Sequence, residues 1–156
     1  MTNAADSMEL PSSDLLAGFN DEERRRLGSF GKFRTYPAEE KVIREGRQQD
    51  CLFFLLKGLL HAVHEARGGH TPLGAIRAGE WFGEMNIFDP RSAAATVIAR
   101  RDSRVWVISR AKLEEFLNQY PVLGCQLLLG VAEVLARRVR ELDEKINATW
   151  EIGQVE

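Results

Sequence analysis

CLFFLLKGLLHAVHEARGGHTPLGAI, residues 51–76, decides the fold of this chain. Its apolar segments are each shorter than the roughly 10–12 residues of a buried helix, and glycines separate them. Arg67-Gly68-Gly69, between LLHAVHEA and TPLGAI, fits a hairpin loop. The same rhythm runs outward to residues 33 and 109. Upstream lie FRTY, PAEE, KVI and REGRQQD; downstream lies ATVIARRDSRVWVIS, which reads as two strands broken at residues 100–103. Many short strands about ten residues apart predict an antiparallel sandwich, roll or barrel.

Helices flank this β region. FNDEERRRLGSF carries Asn20 as N-cap, acids from Asp21 to Glu23 in the first turn and Gly28 for the exit. Before it, SSDLLAGF offers Ser12 or Ser13 as another cap, with Leu15, Leu16 and Phe19 at helical spacing. After Ser109, RAKLEEFLNQYP reads as a short helix ended by Pro121, and residues 122–148 as a long one. In the long helix Leu128, Ala132, Leu135, Val139, Leu142 and Ile146 follow each other at alternating spacings of four and three, an a/d seam. Such a seam packs either along its own domain or against a second copy in a homodimer. Its run beyond the last strand raises the second option.

Composition bounds the function. The 156 residues suit one domain, and a net charge of −2 gives no chain-wide basic field for nucleic acid. No charged n-region or apolar h-region opens the chain, and no apolar run approaches the ~20 residues of a membrane span. A soluble cytoplasmic protein follows, with residues 1–11 loose, a domain over 12–148 and a tail over 149–156. Cys51 and Cys125 sit among apolar neighbours and read as buried free thiols. His61 and His64, three apart, would face opposite sides of a strand, so no metal site and no catalytic constellation is expected. Gly46, Gly58, Gly79 and Gly83 fall at turns or strand ends, where a positive φ is at home.

Helix, β-roll of about eight strands and long helix resemble the cyclic nucleotide-binding domain, the sensor type of catabolite activator protein and protein kinase A regulatory subunits. PAEEKVIREGRQQDCLFFLLKGLLHAV is similar to its first strands, AGEWFGEMNIF to the start of its phosphate-binding cassette, and AATVIARRDSRVWVISRAKLEEFLNQYP to the elements that close the roll. LARRVRELDEKI looks like its last helix. The fold this implies is mainly β: an antiparallel, jelly-roll-like double-stranded β-helix with short N-terminal helices and a long C-terminal one.

The resemblance also implies a ligand, cyclic AMP or cyclic GMP, and no other cofactor. Gly83 would let backbone approach the phosphate, and the N–H groups from Glu84 through Met85 to Asn86 would donate to it. Glu84 would accept from a ribose hydroxyl. The second half of the cassette departs from the pattern. The slot for the phosphate-pairing arginine falls on Ala93, followed by Ala94 and Ala95; Arg91 and Ser92 lie just before it. Arg91 is two residues early, displaced by about 6–7 Å in an extended chain. In the last helix Leu142 and Asp143 fall where the family touches the purine, though Leu142 also belongs to the seam. The arginines Arg137, Arg138 and Arg140 interleave with acids and read as a solvated, salt-bridged helix face.

Two functions stay open on this basis. One is a regulatory sensor with a weakened or altered cyclic-nucleotide site. The other is a dimerisation or protein-interaction module that keeps the fold without nucleotide. Both are non-enzymatic, expect no helix-turn-helix, and act through an unknown protein effector.

Overall fold

The computed structural model describes residues 9–12 and 14–153. A 3₁₀ turn, Asp14–Leu16, precedes helix α1, Asp21–Phe30. The strands are β1 (Lys32–Tyr36), β2 (Lys41–Ile43), β3 (Gln48–Gln49), β4 (Cys51–Lys57), β5 (Leu59–Ala66), β6 (Gly69–Arg77), β7 (Trp81–Phe82), β8 (Arg91–Ser92), β9 (Thr96–Ala99) and β10 (Ser103–Ser109). Helix α2 (Glu84–Phe88) interrupts them between β7 and β8; α3 (Arg110–Gln119) and α4 (Pro121–Gly153) close the chain.

Eight strands form two four-stranded sheets, ordered β1-β10-β4-β7 and β2-β9-β5-β6, while β3 and β8 make a separate ribbon. All pairings are antiparallel, so this is the roll. The hairpin falls where the sequence puts it. Ala66 pairs with Gly69 across Arg67 and Gly68, whose φ of 100° suits a tight turn.

The apolar run CLFFLL has a structural cause. β4 is buried on both faces: Phe53 and Leu55 enter the roll interior, whereas Leu52 and Phe54 pack against the helices. β7 and β10 repeat the split, with Phe82 and Val105 inside and Trp81, Trp106 and Ile108 beneath the helices. Phe53 and Phe82 stack with centroids 4.8 Å apart. A strand covered on both faces loses its polar alternation and reads as continuous hydrophobicity.

Helix α1 begins as expected, with a reciprocal box between Asn20 and Glu23. It ends later than expected, at Gly31, and Gly28 is buried inside it. The reason is Trp106. Its indole donates to the Gly28 carbonyl at 3.1 Å, and a Cβ on Gly31 would lie 2.4 Å from its ring. The preceding segment forms one 3₁₀ turn instead of a capped helix; Leu15, Leu16 and Phe19 are buried there, and Ser13 lies outside the described residues.

Of the expected loose segment, residues 1–8 lie outside the described residues. Leu10, however, is core: it is 2% exposed, and its carbonyl accepts from Arg24 Nε at 3.0 Å. Helix α4 starts at Pro121, a proline at the first helical position, and continues through Gly153 into the expected tail. Neither cysteine is fully buried: Cys51 is half-buried and Cys125 exposed, because Cys125 lies on the solvent side of α4. No helix among the described residues is long and apolar enough to cross a membrane.

Gly46, Gly58, Gly79 and Gly83 all have positive φ. Gly58 is the tightest: at φ 111°, an added Cβ would sit 2.2 Å from Ser103 Oγ and 2.7 Å from its Cα. Ser103 cannot yield, since it is buried and its hydroxyl donates to the Arg101 carbonyl at 2.7 Å. Gly58→Ala is expected to lower unfolding free energy by about 2 kcal/mol. A urea midpoint matching that of the unmodified chain would contradict this account.

Candidate functional site

A cavity of about 330 Å³ opens between the second sheet, α2 and α4, within the size range of small-molecule sites. Ile43, Ala62, Ala75, Ile76 and Val97 give it an apolar floor. Gly83, Glu84, Met85 and Asn86 form one wall, Ala93, Ala94 and Ala95 another, and Arg138 reaches in from α4.

Gly83 is required by its position. It caps α2 in the left-handed conformation, φ 82°, and a Cβ would stand 2.6 Å from the Cys51 carbonyl. That carbonyl also accepts from Gln49 Nε2 at 3.3 Å, so the strand beneath is held in place. α2 is pinned through its C-terminal half. Asn86 Nδ2 donates to the Arg91 carbonyl at 3.1 Å, and Arg110, the first residue of α3, donates to the carbonyls of Ile87 and Phe88 at 3.2 and 3.0 Å.

Glu84 is buried, with 11% of its side chain exposed, and Arg138 Nη1 forms an ion pair with its Oε1. The second arm of the same guanidinium donates to the Trp81 carbonyl at 3.3 Å. Arg138 thereby ties α4 to the cassette. The interleaved charges of α4 predict a solvated face salt-bridged along the helix, and for Arg138 that is corrected: its partner is Glu84 of the cassette. A different periodicity leads to it: Leu127 and Val131 are buried, Val134 packs on the core, and Arg138 is the next residue on that stripe.

The other residues of the sequence-derived site separate. Met85 is 74% exposed at the cavity mouth. Ala93 lines the cavity and is buried, fixed by Gly46 N–H to its carbonyl and by its own N–H to the Arg47 carbonyl. Arg91 does not reach back over Ala93. It lies on β8 opposite Gln49, exposed, and its Nε pairs with Asp89 Oδ2 at 2.8 Å. Ser92 is exposed on the same ribbon and outside the cavity lining. Leu142 and Asp143 are also exposed, farther along α4; Leu142 lines a separate hollow with Ile146 and Trp150.

Elsewhere, His64 Nδ1 meets Glu45 Oε1 at 2.6 Å, and His61 Nδ1 accepts from Arg100 Nε at 3.2 Å. Among the described residues no group of three or more His, Cys, Asp or Glu could hold a metal ion. Burial, with the Asp50 carboxylate beside it, pushes the Cys51 thiol up to about 11, so it stays protonated at neutral pH.

A glycine-capped helix, a buried acid beside it and a small apolar wall, set on this roll, coincide with a family model that matches residues 33–120: the cyclic nucleotide-binding domain. The chain belongs to this family. Among its relatives, glutaminase 1 of Bradyrhizobium diazoefficiens is 29% identical over 142 residues, 91% of this chain and 22% of the glutaminase. The cyclic AMP receptor protein of Thermus thermophilus is 26% identical over 139 residues, covering 88% of this chain and 62% of the receptor. A solved cyclic nucleotide-binding domain from Methylobacillus flagellatus KT superposes with a TM-score of 0.75 at 27% identity, over 84% of this chain and 74% of that one. The chain therefore spans less than two thirds of either curated relative.

Proposed function

We propose that this domain is a ligand sensor of the cyclic-nucleotide type, with a divergent phosphate site and with α4 as its output element. The Glu84–Arg138 pair carries the proposal, because it joins the cavity wall to α4 by a charged contact that a ligand in the cavity would meet. A nucleotide sugar hydroxyl would compete for Glu84, and a cyclic phosphate would compete for Arg138. Either competition changes what holds α4 against the cassette. A ligand shifts such an equilibrium only by its differential affinity for the two arrangements. Ala93 at the cavity wall and Arg91 turned to Asp89 make the phosphate end cation-poor, so affinity is expected to be weak.

Calorimetry with cyclic AMP and cyclic GMP tests this directly. Saturable heat with either nucleotide, lost in Glu84→Ala, supports the sensor. No heat at high micromolar ligand overturns it.

One observation favours a second role, as an interaction module. Val139, Leu142, Ile146 and Trp150 are 56%, 58%, 53% and 69% exposed along one stretch of α4. Upstream, Leu128 and Leu135 are half-buried, with Leu135 packing on its own domain core, and Ala132 is exposed. The seam thus serves its own domain at one end and lies bare at the other. A second copy of this chain, helix to helix, would cover the bare part. Sedimentation at tens of micromolar protein is expected to show a dimer, and Leu142→Glu with Ile146→Glu a monomer. A monomeric unmodified chain would remove the dimer.

A further inference from the structure

Lys41, Arg44, Arg47, Gln48 and Gln49 surround a second hollow, of about 350 Å³, with Val42 and Ile43 at its base. Its two arginines sit at the ends of one turn. Arg47 N–H closes that turn on the Arg44 carbonyl at 3.2 Å, and Gly46 supplies the positive φ of 79°. Three carboxylates of the surrounding elements are already paired with other groups. Glu45 holds His64 and the Glu65 N–H, Glu65 holds Lys41, and Asp89 holds Arg91. Among the described residues no hydrogen bond or ion pair engages the guanidinium groups of Arg44 and Arg47. The hollow is therefore lined by two arginines with uncommitted guanidinium forks and by two glutamines, of which Gln49 also donates to the Cys51 carbonyl, with no carboxylate in its lining.

We propose that this hollow is a second anion site, which takes a soluble phosphate-bearing small molecule. Planar guanidinium groups match phosphate oxygens two at a time, and carboxamide N–H groups complete the donor set. The site is distinct from the nucleotide cavity but shares its wall. Ile43 lines both, and the Arg47 carbonyl and Gly46 N–H bracket Ala93 at 2.8 and 2.9 Å. The proposal stands whether or not a cyclic nucleotide binds next door.

The test is a titration of the full chain with sodium pyrophosphate at constant ionic strength, followed by backbone amide NMR. Saturable shifts centred on residues 44–49 are expected, with affinity falling as salt rises. Arg44→Gln with Arg47→Gln is expected to weaken binding at least about tenfold. Both side chains are exposed, and circular dichroism checks that the variant is folded. Arg47→Lys provides a second reading, since it keeps the charge and loses the fork; it is expected to bind more weakly than the unmodified chain. An equal response to sodium sulfate would overturn the phosphate assignment. Shifts confined to residues 83–86, or an undiminished response in the folded double variant, would overturn the site. Binding to phosphatidylinositol-phosphate vesicles without a pyrophosphate response would overturn the soluble-ligand assignment.

Discussion

Ala93→Arg is expected to tighten binding of cyclic AMP or cyclic GMP by roughly thirtyfold to several thousandfold. Adding the cation reverses the loss of one member of a desolvated charge pair, which costs about 2–5 kcal/mol. Ala93 is 5% exposed at the cavity wall, so a side chain built there extends into the 330 Å³ space. The cavity's own arginine, Arg138, is already bound to Glu84, so a singly charged phosphate now has to compete for it. A new cation at position 93 removes that competition. Calorimetry on Ala93→Arg and on the uncharged Ala93→Gln separates charge from bulk. If the folded arginine variant binds no better than the glutamine variant, the missing cation is not what limits this site.

Trp106→Ala is expected to destabilise the domain by about 3–5 kcal/mol, the range for emptying a large aromatic site in a core. At about 2–4 °C per kcal/mol for a chain of this size, the midpoint should fall by about 6–20 °C. Trp106 is fully buried and packs edge-on against Trp81, with centroids 6.0 Å apart. It also carries the hydrogen bond to Gly28 and fills the space that Gly31 leaves open. Removing it unseats α1 from the first sheet. Trp106→Phe keeps much of the packing but leaves the Gly28 carbonyl with the Gly31 N–H alone, and should cost less, about 1–2 kcal/mol. Calorimetric or urea unfolding checks both; a loss below about 1 kcal/mol for the alanine variant would contradict the packing described.

The strands were legible because their cause is local. Glycines with positive φ punctuate short apolar runs, and each run is too short for a buried helix. The same logic placed the hairpin at Arg67 and Gly68 and the cap at Asn20. It fails at Gly28, where a glycine near the end of a helical pattern reads as an exit. Trp106, distant in sequence, holds that turn helical and moves the exit to Gly31. Leu10 misled in a similar way. One leucine in a polar segment carries no periodicity, yet it reaches the core beneath α1 and α4.

The candidate site was half legible. Gly83 and Glu84 stand beside each other in the chain, and both line the cavity. The position of Ala93 could also be counted from Thr96 and Val97. Whether Arg91 could reach it depended on a rival charge, and Asp89 is that rival.

By itself, then, the sequence determined the short antiparallel strands and their flanking helices, because turn geometry and hydrophobic spacing act over a few residues. The roll and the position of the cassette came from the family resemblance. Only the tertiary structure decided which cation enters the cavity. Arg138 lies on another element, and its charge pattern matched any solvated helix face. Folding α4 across β7 and α2 sets it against Glu84 and the Trp81 carbonyl, where a nearly buried carboxylate needs a partner.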